Sequence, residues 1–372
     1  MATKGGTYTF VDGFISQLMS MMEFRDGEYV IGDHSVSVIA HSDQKLATDS
    51  SLRIPNSRMQ ELLWAQRSLP TWLRKNEFDA YHSLKHVGPL ICPAQTVYRV
   101  PAVGQFDGSY PLSLSERFYW AHLAKRAYIK SDLLIAVSDY IRNGLIEQLG
   151  VNPEKVVTIH NGVNARFRQL DPGENHDSHV RETLGIHRPF VLSVGNVVPV
   201  KNVKTSLLAF SQLCKDRDFE YDFVVAGGTD YPHADELRQL GATHGIADRV
   251  HFIGFQSPDQ LVQLYNSAAA LIHTSFHEGF SLTILEAMAC GMPIIASKTS
   301  SIPEAAGDAA CYIDDPTDCE SLANEIDNLL RSEPKRNTLS QAAIDRSRQF
   351  TWQACVEKTL NAYDRLTSPC VA

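Results

Sequence analysis

The residues best placed to do chemistry lie in His277-Glu-Gly-Phe-Ser-Leu-Thr-Ile-Leu-Glu286-Ala-Met-Ala-Cys-Gly291. Glu278 stands in a loop after a strand ending near His273, and Gly279 follows it directly. The apolar spacing predicts a helix from about Leu282, closed by Gly291 and Pro293. The backbone N–H groups of Phe280, Ser281, Leu282 and Thr283 then point out of its N-terminus. Donors and dipole together make such an end a site for a phosphate. Glu286 is one turn inside, so its carboxylate can reach back toward whatever carries the phosphates, and a ribose diol would satisfy it. The plainer alternative is a pair of acids that merely favour the helix dipole. It suits Glu286 alone as well as the functional reading does, and suits the combination with Glu278 and Gly279 less well.

A second signal is Ser193-Val-Gly195-Asn196-Val-Val-Pro-Val-Lys201-Asn202. Gly195 lets the chain leave a strand close to a ligand. Lys201 sits where a helix starts, and a cation there opposes the local dipole, which points to an anionic partner such as a leaving diphosphate. A lone lysine is also commonly just solvated. No metal is expected. The 14 histidines form no H-E-x-x-H or H-x-H cluster, and His176 and His179 read as part of a solvated loop. Asp314-Asp315 is not a D-x-D motif. The seven cysteines (Cys92, Cys214, Cys290, Cys311, Cys319, Cys355 and Cys370) never form a C-x-x-C pair, so neither a zinc site nor a disulfide framework fits them.

The elements that must hold these residues are α/β. A chain of 372 residues exceeds what one core usually serves, so two domains are expected. In the C-terminal half, short continuous apolar runs alternate with helical patterns: Phe190–Val194, Phe223–Ala226, Val250–Ile253, Ala269–Ile272, Pro293–Ala296 and Ala310–Ile313. Such runs suit strands buried on both faces and joined by parallel crossovers. Ser257-Pro258 is a helix start, an N-cap followed by proline. In the N-terminal half, Val36–Ala40, Ala80–His82, Thr96–Val100, Leu133–Val137 and Val156–Ile159 read as strands. Tyr8–Met22, Arg58–Arg74, Ser115–Lys130 and Tyr140–Leu149 read as helices. The polar, Pro- and Gly-broken stretch Leu170–Val180 is the expected interdomain linker. The division is thus 1–170, 171–350 and a final helix within 351–372. Two Rossmann-like domains with parallel sheets facing a cleft are expected, the ligand lying at the C-terminal strand ends.

Glu278 through Glu286 is the E-x7-E pattern of retaining glycosyltransferases with the GT-B fold, and the surroundings resemble glycosyltransferase family 4. The likeness covers nearly the whole chain. Gly5-Gly6-Thr-Tyr-Thr-Phe resembles the family's glycine loop and first helix, while Tyr81-His-Ser and Ile135-Ala-Val-Ser138 resemble inner strands of the first domain. Ile159-His-Asn-Gly-Val163 resembles its exit, and Gly195…Lys201-Asn202 with Val250-His-Phe-Ile-Gly254 completes the pattern. The resemblance implies a nucleoside-diphosphate sugar as co-substrate, held mainly by the C-terminal domain, with no further cofactor and no metal. Lys201 would contact the diphosphate, near Gly195 and Asn196. The backbone of Phe252, Ile253, Gly254 and Phe255 would recognise the base, and Glu286 the ribose. The N–H groups from Gly279 and Phe280 to Thr283 would hold phosphate. Glu278 would contact the transferred sugar, and Gly6 would let the first domain close over the donor. The last helix, near Trp352–Leu366, would cross back to the first domain.

Three departures from the family accompany this. Gly5-Gly6 comes almost at once, so the family's first strand is missing or supplied differently. Pro101-Ala102 stands where the family usually has His-Asp, and Asn196 where an arginine is common. His82, His86 and Asp107 are nearby substitutes for the missing histidine, or else structural. The expected function is retaining transfer of a hexose-like sugar to a hydroxyl of a glycan, lipid-linked or small-molecule acceptor. The alternatives are a catalytically silent GT-B protein that binds nucleotide or glycan and scaffolds a partner, and a nucleotide-sugar epimerase.

The remaining features bear on partners. The stretch Phe106–Tyr110 and the helix Glu116–His122 either line an acceptor groove or pack on the sheet. Lys125, Arg126 and Lys130 either meet anionic lipid headgroups or form a solvated face. With 34 basic against 43 acidic residues the formal charge is -9, which argues against a nucleic-acid partner bound by bulk charge. No apolar run is long enough to span a bilayer and the start lacks a signal-peptide core, so a cytoplasmic protein is expected, at most at the inner membrane face. A missing first strand would leave a sheet edge that a second subunit could cover.

Overall fold

The computed structural model describes residues 6–25, 28–39, 54–55, 58–84, 88–108, 112–171, 173, 177–216 and 218–367. Gly5, Ala40, His86, Tyr110, His176 and Cys370, all named above, lie outside them. The chain divides into two compact units, Met1–His160 with Trp352–Ala372, and Asn161–Thr351.

In the first unit a short antiparallel meander, β1 (Glu23–Arg25), β2 (Glu28–Ile31) and β3 (His34–Ser35), precedes a parallel sheet. That sheet has four strands in chain order: β4 (Ala80–Ser83), β5 (Gln95–Val100), β6 (Leu133–Ala136) and β7 (Val156–Thr158). The strand expected at Val36–Ala40 is absent over 36–39. The chain has paired earlier, with Ile31 opposite His34 and Val30 opposite Ser35, and Val36 N–H donates to Tyr29 C=O where that strand was expected to begin. Helices Gly6–Met21, Arg58–Lys75 and Asp139–Leu149 form near their expected places. The helix expected over Ser115–Lys130 is interrupted by a π-helical segment, Tyr119–Ala124, between α-helical Leu114–Phe118 and Lys125–Lys130. The last helix, Trp352–Thr367, belongs to this unit and packs on Gly6–Met21. Gly13 permits it, because a Cβ there would stand 2.3 Å from the Trp352 ring.

In the second unit six parallel strands follow: β8 (Phe190–Val194), β9 (Asp222–Ala226), β10 (Val250–Gly254), β11 (Ala270–His273), β12 (Ile294–Ser297) and β13 (Cys311–Ile313). Their spatial order is β10-β9-β8-β11-β12-β13, the doubly wound arrangement of dinucleotide-binding sheets. Every residue of β9, β11 and β12 is buried, as their continuous apolar runs require when helices cover both faces. Helix starts are set by capping: Ser257 and Gln260 form a reciprocal box before Pro258–Ser267, and Asp318 takes the N–H groups of Glu320 and Ser321.

The stretch 161–170 belongs to the second unit, which moves the boundary upstream of the expected linker. Val163 N–H donates to Phe350 C=O, Phe167 packs on Tyr265, and Leu170 N–H donates to the Asn266 side chain. Part of the expected linker is helical, within Asp177–Leu184.

Candidate functional site

The strand order of the second unit reverses between β8 and β11, and ligands of such sheets lie beyond the carboxyl ends of the strands at that point. Both sequence signals fall there. Gly195 leaves β8 at φ 143°, and Gly227 leaves β9 at φ 147°. A Cβ on Gly227 would stand 1.9 Å from the Gly195 carbonyl oxygen, so this approach of two strand ends requires glycine. A Cβ on Gly195 would be 3.4 Å from Lys201 Cε; its bare Cα is the floor on which the lysine stem lies.

Lys201 ends a short 3-10 turn, Pro199–Lys201, and Asn202 follows at φ 50°. Asn202 is buried and joins the two loops of the switch point. Its amide donates to the carbonyls of Thr274 (3.2 Å) and Pro316 (2.7 Å), and Thr274 Oγ1 donates back to the Asn202 carbonyl at 3.0 Å. Phe276 N–H donates to Val200 C=O at 2.9 Å. The loops after β8 and β11 are therefore held as one piece.

Across them, Lys201 Nζ lies 2.6 Å from Glu278 Oε1, with the side chains 24% and 12% exposed. The Glu278 backbone is clamped on both sides: its N–H donates to Ser300 Oγ at 2.9 Å, and its carbonyl accepts from Ser301 Oγ at 2.9 Å. His273, the last residue of β11 and 3% exposed, brings Nε2 to 3.1 Å from the same Glu278 oxygen and 3.2 Å from Ser281 Oγ. Burial pushes the Glu278 carboxyl up, but the Lys201 charge and the His273 contact outweigh it and hold it well below the usual carboxylate range. The glutamate is ionised and the lysine is paired with it. The sequence suggested a cation in want of an anion; the fold supplies one from within.

The predicted helix forms at Leu282–Ala289 with Ser281 as N-cap. Ser281 Oγ takes the N–H of Ile284 and its carbonyl takes that of Leu285, so the N–H groups of Leu282 and Thr283 are the ones left at the open end. Phe280 is turned inward against Phe350, ring centroids 5.4 Å apart. Glu286 accepts from Tyr265 Oη at 3.1 Å. Burial raises its carboxyl to about 7, the tyrosine hydrogen bond only partly offsetting this.

The other expected residues are more dispersed. Phe252, Ile253 and Gly254 close β10, the edge strand, Gly254 at φ 70°, and the ring of Phe255 beyond them is exposed. Asn196 Oδ1 accepts from Gly228 N–H at 3.3 Å, which commits it to the neighbouring loop. Gly6 opens the first helix of the other unit. Sequence reasoning did not single out His273, Tyr265 or Ser300, and assigned Asn202 no role. The positive φ of Asn202 had a readable signal, an asparagine just before a helix; the others are chosen by strand and helix packing alone.

In the first unit, Pro101 and Ala102 leave β5, and the Ala102 carbonyl accepts from Gln105. His82 is turned toward Tyr363 Oη of the last helix, and burial pushes its ring down to about 3, so it is a neutral packing residue. Phe106 packs edge-on against Trp120 and Tyr128. Beside it a cavity of about 390 Å³ opens, edged by Arg117, Ala121, Lys125 and Leu149. Among the described residues no helix is long and apolar enough to cross a membrane.

Residues 178–346 match the family model described as Glycosyl transferases group 1, and residues 30–167 match Glycosyltransferase Family 4. The chain is 28% identical over 234 residues to O-antigen chain mannosyltransferase B of Escherichia coli, covering 63% of this chain and 61% of that protein's length. Among solved structures, WaaG, a glycosyltransferase involved in lipopolysaccharide biosynthesis, superposes with a TM-score of 0.74 at 19% identity, over 98% of this chain and 97% of that one. Anabaena Alr3699/HepE in complex with UDP-glucose gives 0.69 at 20% identity, over 84% and 85%. Both likenesses carry the fold, and the fold is GT-B.

Proposed function

We propose, from the premise that this chain belongs to the glycosyltransferases through a family 4 domain followed by a group 1 domain, that it moves a hexose-like sugar from a nucleoside-diphosphate sugar to a hydroxyl acceptor with retention of anomeric configuration. The observation that carries the reading is the Lys201–Glu278 pair set at the switch point, beside the open end of the Leu282–Ala289 helix.

The chemistry follows from charge. Loss of a diphosphate from the sugar puts negative charge on the departing oxygens and positive charge on the anomeric carbon. The N–H groups of Leu282 and Thr283 are preset donors for the first, and Lys201 joins them by turning from Glu278 to the diphosphate. One such donor is worth on the order of 3 kcal/mol of transition-state stabilisation. These groups supply in protein what a divalent cation supplies elsewhere, so we assign no metal to the reaction. Glu278, ionised and held from its backbone, contacts a hydroxyl of the transferred sugar. Glu286 meets the ribose and the Phe252–Phe255 backbone the base. In front-face transfer the leaving phosphate takes the acceptor proton, which dispenses with a protein base near Pro101-Ala102. The donor class is supported by the UDP-glucose complex of HepE, and a glycan acceptor by the mannosyltransferase relative. Arg117 and Lys125 around the first unit's cavity suit an acceptor carrying negative charge.

The test is release of nucleoside diphosphate from UDP-, GDP-, ADP- and dTDP-sugars, with and without a chelator. Selective release from one donor that persists with chelator is expected. Release that stops on chelation would refute the metal-free mechanism, and a product of inverted anomeric configuration would refute retention.

A further inference from the structure

Glu278 is a carboxylate in a tight place. Its side chain is 12% exposed, and one of its oxygens serves two partners, Lys201 Nζ at 2.6 Å and His273 Nε2 at 3.1 Å. The two differ in how far they can move. Lys201 hangs on an unbranched stem from a short 3-10 turn and is 24% exposed. His273 is 3% exposed and sits in the middle of the sheet, hydrogen-bonded in register opposite Ala296 of β12. The same imidazole nitrogen is 3.2 Å from Ser281 Oγ, the N-cap of the helix whose open end faces the site.

A diphosphate arriving there competes with Glu278 for the one ammonium. If the lysine turned away and nothing else held the carboxylate, a largely buried charge would be left alone, and that is costly. We propose that His273 is a positioning residue that keeps hold of the Glu278 carboxylate when Lys201 leaves it for the donor's diphosphate. The lysine is the movable partner and the histidine the fixed one. This rests on the donor reading above, and adds to it a residue that lowers the cost of seating the diphosphate without touching it.

The test is calorimetric binding of UDP, GDP, ADP and dTDP to the full chain in four forms: wild type, His273→Leu, Glu278→Gln and the double variant. For the nucleotide that the wild type binds, His273→Leu is expected to weaken affinity about 10-fold, the effect of losing one hydrogen bond to a charged group. In the Glu278→Gln background the same substitution is expected to change affinity by less than about 2-fold, because no charge is left to hold. His273→Gln, whose amide nitrogen falls near the place of Nε2, is expected to restore most of the loss. Should His273→Leu not fold, as thermal melting will tell, His273→Asn takes its place, with an amide too short to reach Glu278. Equal weakening in both backgrounds would overturn the proposal, since the ring would then act by packing alone. Unchanged affinity in His273→Leu would also overturn it. Absence of binding by the wild type to all four nucleotides would instead overturn the donor reading on which it stands.

Discussion

Replacing Lys201 by methionine removes the ammonium and keeps the stem that lies over Gly195. Its cost can be worked from the pair itself. Breaking a fully buried ion pair by removing one partner costs about 3–5 kcal/mol, because the other charge is left uncompensated. Here Lys201 is 24% exposed and His273 still holds the same carboxylate oxygen, so the cost falls to the bottom of that scale and below it, about 2–3 kcal/mol. For a unit the size of Asn161–Thr351, each kcal/mol moves the melting temperature by about 2–4 °C, so a drop of about 4–12 °C is expected. The effect has a pH signature. The Glu278 carboxyl is held below its ordinary range in the folded protein, so its contribution is complete above that range and is lost as pH falls through the folded value. The gap between wild type and Lys201→Met is therefore widest at pH 7 and narrows toward pH 3. Adding Glu278→Gln to Lys201→Met removes the stranded charge and should recover more than half of the loss. Urea unfolding of the three proteins at pH 7 and pH 3.5 measures all of this. A gap below about 1 kcal/mol at pH 7, or one that does not shrink in acid, would refute the argument that the pair is desolvated and mutually dependent.

Three further outcomes are expected. Gly227→Ala places a methyl 1.9 Å from the Gly195 carbonyl at φ 147°, so it should cost more than about 3 kcal/mol; a melting curve within 3 °C of wild type would contradict the close approach of β8 and β9. Asn202→Ala loses its hydrogen bonds to the buried Thr274 carbonyl and the half-buried Pro316 carbonyl and strains a positive φ, for about 2–4 kcal/mol by unfolding, whereas a loss under about 1 kcal/mol would mean the loops are not joined through it. Glu286 has its folded value raised to about 7, so the stability it allows is complete below the ordinary carboxylate value and is lost as pH rises through 7. Relative to Glu286→Gln, the wild type should therefore lose roughly 2–3 kcal/mol between pH 5 and pH 8.5, and parallel pH profiles of the two would refute the assigned burial.

Much of this was legible along the chain. The strands of the second unit announce themselves as continuous apolar runs, because a parallel sheet covered on both faces leaves no residue of β9, β11 or β12 to face water. Glycine before a helix with two glutamates separated by seven residues marks where the Leu282–Ala289 helix begins, and the group 1 and family 4 matches agree with the resemblance those motifs carry. The three-stranded meander near the N-terminus was not legible: strands of two to four residues are too short to hold a period. The expected linker was misplaced for a related reason, since polarity and proline describe a loop equally well whether it floats or is pinned. Phe167 and Leu170 are pinned by Tyr265 and Asn266, about a hundred positions away.

Local pattern determined which elements form and which residue types stand at their ends, for these depend on neighbours a few positions apart. Pairing across the switch point depends on which strands lie side by side, and the order β10-β9-β8-β11-β12-β13 is a property of the whole packed unit. Only that order sets Lys201, in the loop beyond β8, against Glu278, beyond β11 and 77 positions further on. The same packing brings His273, the last residue of β11, to the same carboxylate. The charge states that follow, an ionised Glu278 and a Glu286 raised to about 7, are set by burial and partners and not by residue type, which is why two glutamates eight positions apart come to behave so differently.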